Sequence, residues 1–244
     1  GGTRFNALMW KHKGGMFDGS SICACPVHTN ERGEHLLSLV NASMLVKILP
    51  RLFDEKEFLS PHGIRSVSKY HATRHDLGHI PGIGSASIQY VPGESDSPLF
   101  GGNSNWRGPV WMPTNYLLIQ AMEKLYRFLG DSFTFPAPCL NGYEINLKYG
   151  ATLLAERLAD IFRRGESGLI PAFSKDSPHQ TDPHWRELLL FYEYFHGETG
   201  QGLGATHQTG WSGLVANLIM RRYHQDIPEF WKQRSATAPS KPTE

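Results

Sequence analysis

Apolar positions fall into helical stripes in two blocks of the chain and lose their period between them. Met44, Leu45, Ile48, Leu49, Leu52 and Phe53 recur at the i, i+3, i+4 spacing of one helix face. Pro50 interrupts that run; its missing N–H and fixed φ predict a kink or break there. Residues 58–113 are irregular and rich in Gly, Pro, Ser and His. A stretch of that length inside a compact domain points to functional loops, with a short strand expected at residues 87–91.

The second half regains a helical period. Leu117, Leu118, Ala121, Met122, Leu125, Phe128 and Leu129 define one amphipathic helix. Leu147, Ala151, Leu154, Ala155, Leu158, Ile161 and Phe162 define another, ending near Gly165. Asp182 followed by Pro183 reads as a helix start, an acceptor cap before a residue with φ already set. That helix is expected to carry Trp185, Leu188, Leu189 and Tyr192 on one face and to stop before Gly197. A last helix is expected over residues 212–223. The order of elements shows no βαβ alternation, and the fold class it implies is all-α. Three zones follow: a poorly patterned segment at residues 1–35, a helical body at 36–224, and a flexible Ser/Thr/Pro/Lys-rich tail at 225–244.

Composition narrows the function classes. The 244 residues are 40% hydrophobic and 19% charged with a formal net charge of +1, and the basic residues are scattered. No basic face suggests a nucleic-acid partner. No apolar run approaches the roughly 20 residues of a membrane span, and no signal-peptide pattern opens the chain. The expectation is a cytoplasmic protein with no membrane partner. Cys23, Cys25 and Cys139 read as free thiols rather than a disulfide framework or metal site. Asn41-Ala-Ser43 matches a glycosylation acceptor, weakly. His71, His75 and His79 have the four-residue spacing of helical metal ligands, but Gly78 and Pro81 oppose a helix there. Gly200, Gly202 and Gly204 lack the preceding strand of a phosphate loop.

Three loop clusters carry candidate chemistry: residues 101–115, 191–200 and 202–211. Each joins aromatic rings to planar polar side chains beside glycines. Sugar recognition needs that mixture, rings to stack on C–H faces and amides, imidazoles or guanidinium groups to bond hydroxyls. Glu193 breaks a local rule. It is expected near a helix C-terminus, where the dipole disfavours a carboxylate, and it lies among Tyr192, Tyr194 and Phe195.

The run Asn103-Ser-Asn-Trp-Arg-Gly-Pro-Val-Trp-Met-Pro-Thr-Asn-Tyr-Leu-Leu118 resembles a signature of glycoside hydrolase family 63. So do Phe191-Tyr-Glu-Tyr-Phe-His-Gly-Glu-Thr-Gly200 and Gly204-Ala-Thr-His-Gln-Thr-Gly-Trp-Ser-Gly213, with further likeness at residues 54–66 and 90–95. The family includes processing α-glucosidases and mannosylglycerate hydrolase-like enzymes. The resemblance implies an (α/α)6 barrel, present in part, and inverting hydrolysis of an α-glucoside or α-mannoside-like carbohydrate without metal or organic cofactor. It places the general base on Glu193. Asn105, Trp106, Arg107, Trp111, Tyr194, His207, Gln208 and Trp211 become the expected sugar contacts by motif membership. Inversion also requires an acid about 6.5–9.5 Å from the base. The family's acid is an Asp upstream of every matched segment; Asp18 lacks its neighbours, and Glu94 and Glu198 are weaker in-chain candidates. The rest of the barrel would then lie on a longer chain or a partner. The alternative is a non-catalytic carbohydrate-binding or interaction protein derived from a glycosidase barrel.

Overall fold

In the computed structural model, residues 27–38, 40–82, 84–94 and 105–223 are described. The readings on Asp18, Cys23 and Cys25 lie outside them. Helix α1 spans Ala42–Leu52, α2 Met112–Leu129, α3 Leu147–Asp160, the one-turn α4 Pro178–Thr181, and α5 Val215–Tyr223. The strands are short: β1 Val27–Thr29, β2 His35–Leu37, β3 Leu59–Ser60, β4 Gly63–Ile64, β5 His75–Ile80, β6 Gly84–Ile88, β7 Thr134–Ala137, β8 Tyr143–Asn146, β9 Tyr194–Phe195 and β10 Gly202–Leu203.

The helices are held by local sequence as expected. Asn41 caps α1, its side-chain oxygen accepting the Met44 N–H at 2.9 Å, so the residue flagged as a glycosylation acceptor starts a helix. Pro50 does not break α1 at once; the helix runs two residues further, inside its last turn. Asn146 caps α3 through the Tyr149 N–H. The long α2 has Pro113 in its first turn and stops at Gly130, which has positive φ.

The core lies where α1, α2, α3 and the β7–β8 hairpin converge. Phe53, Phe135, Ile119, Met122, Leu154 and Leu158 are essentially inaccessible there. The Phe53 and Phe135 rings sit 5.2 Å apart. Gly150 permits this packing: a Cβ there would lie 2.7 Å from Met122 Cε and 2.9 Å from Phe53 Cζ. Each fully buried large apolar side chain contributes roughly 1.5–3 kcal/mol.

The all-α expectation is corrected by five two-stranded antiparallel hairpins among the described residues. Apart from β5 and β6, their strands are two to four residues long, too short for alternation to show, and turn chemistry drives them instead. Asn141 and Gly142, both at positive φ, close β7 onto β8. The strand expected at residues 87–91 lies slightly earlier, as β6 paired with β5. His75 and His79 therefore sit on a strand rather than a helix. Among the described residues no three His, Cys, Asp or Glu side chains gather as a metal-holding group. Also among them, no helix is long and apolar enough to cross a membrane.

The helix expected from Asp182 is absent. Ser177, one turn earlier, caps α4 with Pro178 in its first turn. The Asp182 carboxylate accepts the His184 N–H at 2.8 Å and starts a chain of turns over residues 183–187. Of the residues expected to share one helix face, Trp185, Leu188 and Leu189 are 43–51% exposed and Tyr192 is half-buried. Beyond them the chain is extended and captured by residues 205–208: the Glu193 N–H donates to Ala205 O and the Gln208 N–H to Phe191 O. Glu193 thus lies at a bend just before β9, not at a helix end.

Candidate functional site

The motifs meet along a seam of extended segments. β3 pairs with β4, and Arg65, just past β4, bridges to Val110; Val110 bridges to Phe195 of β9, which pairs with β10. The two Val110–Phe195 backbone bonds are 2.8 and 2.9 Å. Asn115 on α2 extends the seam with its side chain. It is buried, accepts the Ile64 N–H at 2.7 Å and donates to Ile64 O at 3.0 Å. Its place in the first motif is therefore explained by folding.

Glu193 stands beside the loop it faces. Its Oε2 accepts the Ala205 N–H at 3.2 Å. Gly204 makes the approach possible: at φ +69°, a Cβ would lie 2.6 Å from Tyr194 Cε1 and 2.7 Å from Glu193 Oε2. Next to the carboxylate runs an aromatic stack. Trp106 lies flat on Trp111, centroids 4.2 Å apart and planes 4° apart, and Trp111 stacks on Tyr194 at 5.0 Å. Trp211 meets Trp111 edge-on at 6.1 Å. Trp111 and Tyr194 are buried, whereas Trp106 and Trp211 are 45% and 38% exposed. Ring area offered to solvent comes from the outer two.

The Tyr194 hydroxyl donates to Glu94 Oε2 at 2.8 Å. Burial raises its pKa above the ordinary phenol range, and the adjacent Glu94 and Glu193 carboxylates push the same way. The phenol is thereby kept as a hydrogen-bond donor. Of the other expected contacts, Arg107 is buried and its carbonyl accepts the Val91 N–H. His207 is exposed at φ +64°, and Gln208 anchors the turn through its backbone to Phe191, Trp211 and Ser212. Asn105 starts the short helical turn Asn105–Arg107; its side chain lies outside the described residues. The structure brings Glu193, Tyr194, Trp111, Trp106 and Trp211 together, with Glu94 added.

Glu198 has a different setting. Its Oε1 takes Arg65 Nη2 at 2.9 Å and the Tyr90 hydroxyl at 2.5 Å, and its Oε2 takes Lys69 Nζ at 3.0 Å. Burial pushes this carboxylate up, but Tyr90, Lys69 and Arg65 outweigh it and hold it at about 2. A group held that firmly as an anion does not serve as a proton donor near neutral pH. Arg65, with only 2% of its side chain exposed, also donates to the carbonyls of Leu59, Glu55 and Glu57. Sequence reasoning missed Arg65 and Tyr90 as organisers of the site; their only signal was membership of the two minor matching segments.

Residues 35–212 match the model of the mannosylglycerate hydrolase MGH1-like glycoside hydrolase domain. An uncharacterized protein of Saccharomyces cerevisiae is 45% identical over 186 residues, covering 75% of this chain and 17% of that protein. A probable mannosyl-oligosaccharide glucosidase of Schizosaccharomyces pombe is 24% identical over 184 residues, 75% of this chain and 16% of its own length. The mannosyl-oligosaccharide glucosidase of Saccharomyces cerevisiae is 25% identical over 182 residues, 74% of this chain and 16% of its own. The chain thus spans 16–17% of the length of these curated relatives. With the matched segment covering the seam, the aromatic stack and Glu193, the chain belongs to the mannosylglycerate hydrolase MGH1-like glycoside hydrolase family, within the wider family 63 group.

Proposed function

We propose that this chain carries the base side of an inverting α-glycosidase site, with Glu193 activating the attacking water. The observation that carries the reading is the placement of Glu193 beside the Trp106–Trp111–Tyr194 stack, its carboxylate fixed by the Ala205 N–H. Trp106 and Trp211 supply exposed ring faces for a sugar. Arg107, Trp111, Tyr194, His207 and Gln208 shape the surrounding wall, and Asn105 opens the loop. Glu193 takes a proton from water on one face of the ring while an acid opposite protonates the leaving oxygen. That acid is an Asp outside this chain, consistent with relatives several times its length. The remaining helices of the (α/α)6 barrel would be supplied with it. The substrate is an α-linked glucoside or mannoside, and the chemistry needs no cofactor.

Replacing Glu193 with Gln keeps shape and hydrogen-bonding capacity while removing the base. Turnover of an aryl α-glucoside by the full-length gene product is expected to fall by about 10²–10⁴-fold with an unchanged melting temperature. Full turnover in the variant would refute the assignment. A second reading, sugar binding without catalysis, draws on one observation: of the nearby carboxylates, Glu198 is ion-paired and Glu94 already accepts a hydrogen bond. Binding without product release would support it.

A further inference from the structure

We propose that Glu94, held in place by Tyr194, is a specificity-determining residue that accepts hydroxyl hydrogens from a neutral hexose ring and disfavours sugars bearing a carboxylate. The inference rests on the glycosidase reading and deepens it.

Glu94 is exposed, yet it is not a loose surface side chain. The fully buried Tyr194 holds its Oε2 at 2.8 Å. The loop that bears it is tied to the Glu193–Glu198 segment at two further points. The Gly197 N–H donates to Pro92 O at 2.7 Å, and Gly93 packs so closely on His196 that a Cβ would lie 3.0 Å from the imidazole. An exposed carboxylate fixed by one oxygen offers the other, Oε1, as an acceptor without the entropy cost of ordering a free side chain. Among the described residues, no hydrogen bond is made to Oε1 and no ion pair reaches Glu94 or Glu193.

The same phenol feels both Glu94 and Glu193. Two anions flanking one tyrosine suit a sugar ring whose hydroxyls donate, and oppose a ring that itself carries a carboxylate. Tyr194 acts as a positioning residue: its hydroxyl sets where Glu94 points, while its ring belongs to the stack under Trp111.

The test measures binding of methyl α-D-glucopyranoside and of its 6-carboxylate, methyl α-D-glucopyranosiduronate, to the full-length protein by calorimetry. The wild type is expected to prefer the neutral glycoside by about tenfold. Glu94→Gln should narrow that preference to within about threefold, and Tyr194→Phe should weaken the neutral glycoside while keeping the preference, because the charge remains. A preference unchanged in a folded Glu94→Gln protein, alongside clear binding, overturns this inference alone. Failure of the wild type to bind these glycosides and methyl α-D-mannopyranoside overturns the glycosidase reading and this inference with it.

Discussion

Two carboxylate–tyrosine pairs lie at opposite ends of one short loop, and the chain uses them differently. At one end, Tyr90 donates to Glu198, and Arg65 and Lys69 close around it. At the other, Tyr194 donates to Glu94 beside Glu193, with exposed indoles nearby and, among the described residues, no ion pair. The first cluster satisfies its charge internally and ties residues 59–69, 90 and 198 into one frame. The second leaves acceptor capacity facing outward. Carboxylates five residues apart therefore divide into a fastener and a reagent, and the surrounding cations decide which is which.

The largest effect should come from breaking the fastener. Arg65→Ala takes the buried cation away from Glu198 and removes a donor from three carbonyl acceptors, and a loss of about 3–5 kcal/mol in urea unfolding is expected. A loss below about 1 kcal/mol would show that the cluster does not hold the frame. Next comes Gly204→Ala, which forces a side chain into positive φ against Tyr194 and Glu193. Its expected cost is roughly 1–3 kcal/mol with displacement of the Glu193 carboxylate, checked by thermal melting and by turnover.

The pH dependence follows, and its sign is fixed by direction. Burial lowers His62 and His196 below the ordinary imidazole value, and the His196 Nδ1 accepts the Glu198 and Thr199 N–H groups at 3.2 Å, a role only the neutral ring can play. A base depressed in the fold binds its proton more readily when unfolded, so stability declines as pH drops below about 6.5. Glu198, ordinarily 4.5 and held at about 2, adds a second decline as pH falls from 4.5 toward 2. Glu198→Gln should flatten the lower step and, because the Glu198 charge raises both imidazoles, deepen the upper one. The smallest stability change is expected from Trp106→Ala, under about 1 kcal/mol for a half-exposed ring. The same variant should weaken glucoside binding severalfold, which separates the open end from the closed one.

Much of this was legible in sequence, for reasons that differ by element. Helices α2, α3 and α5 bury one stripe each, so their period survives in the chain. Trp185, Leu188 and Leu189 imitate such a stripe but stay exposed on turns, because Asp182 bonds forward and residues 205–208 take the following backbone. Two-residue strands leave no alternation to read. The aromatic clusters and Glu193 were visible because loops with tryptophan and glycine are unusual. Arg65 and Tyr90 were not, since a buried ion pair is a long-range pairing that no local pattern encodes.

The most direct test of the central claim is turnover of an aryl α-glucoside by the full-length protein with Glu193→Gln beside Glu198→Gln. The account predicts that the first loses about 10²–10⁴-fold in kcat at unchanged stability, while the second loses stability and keeps most of its kcat at a temperature where it is folded. Full kcat in Glu193→Gln, or an equal loss in folded Glu198→Gln, would contradict it.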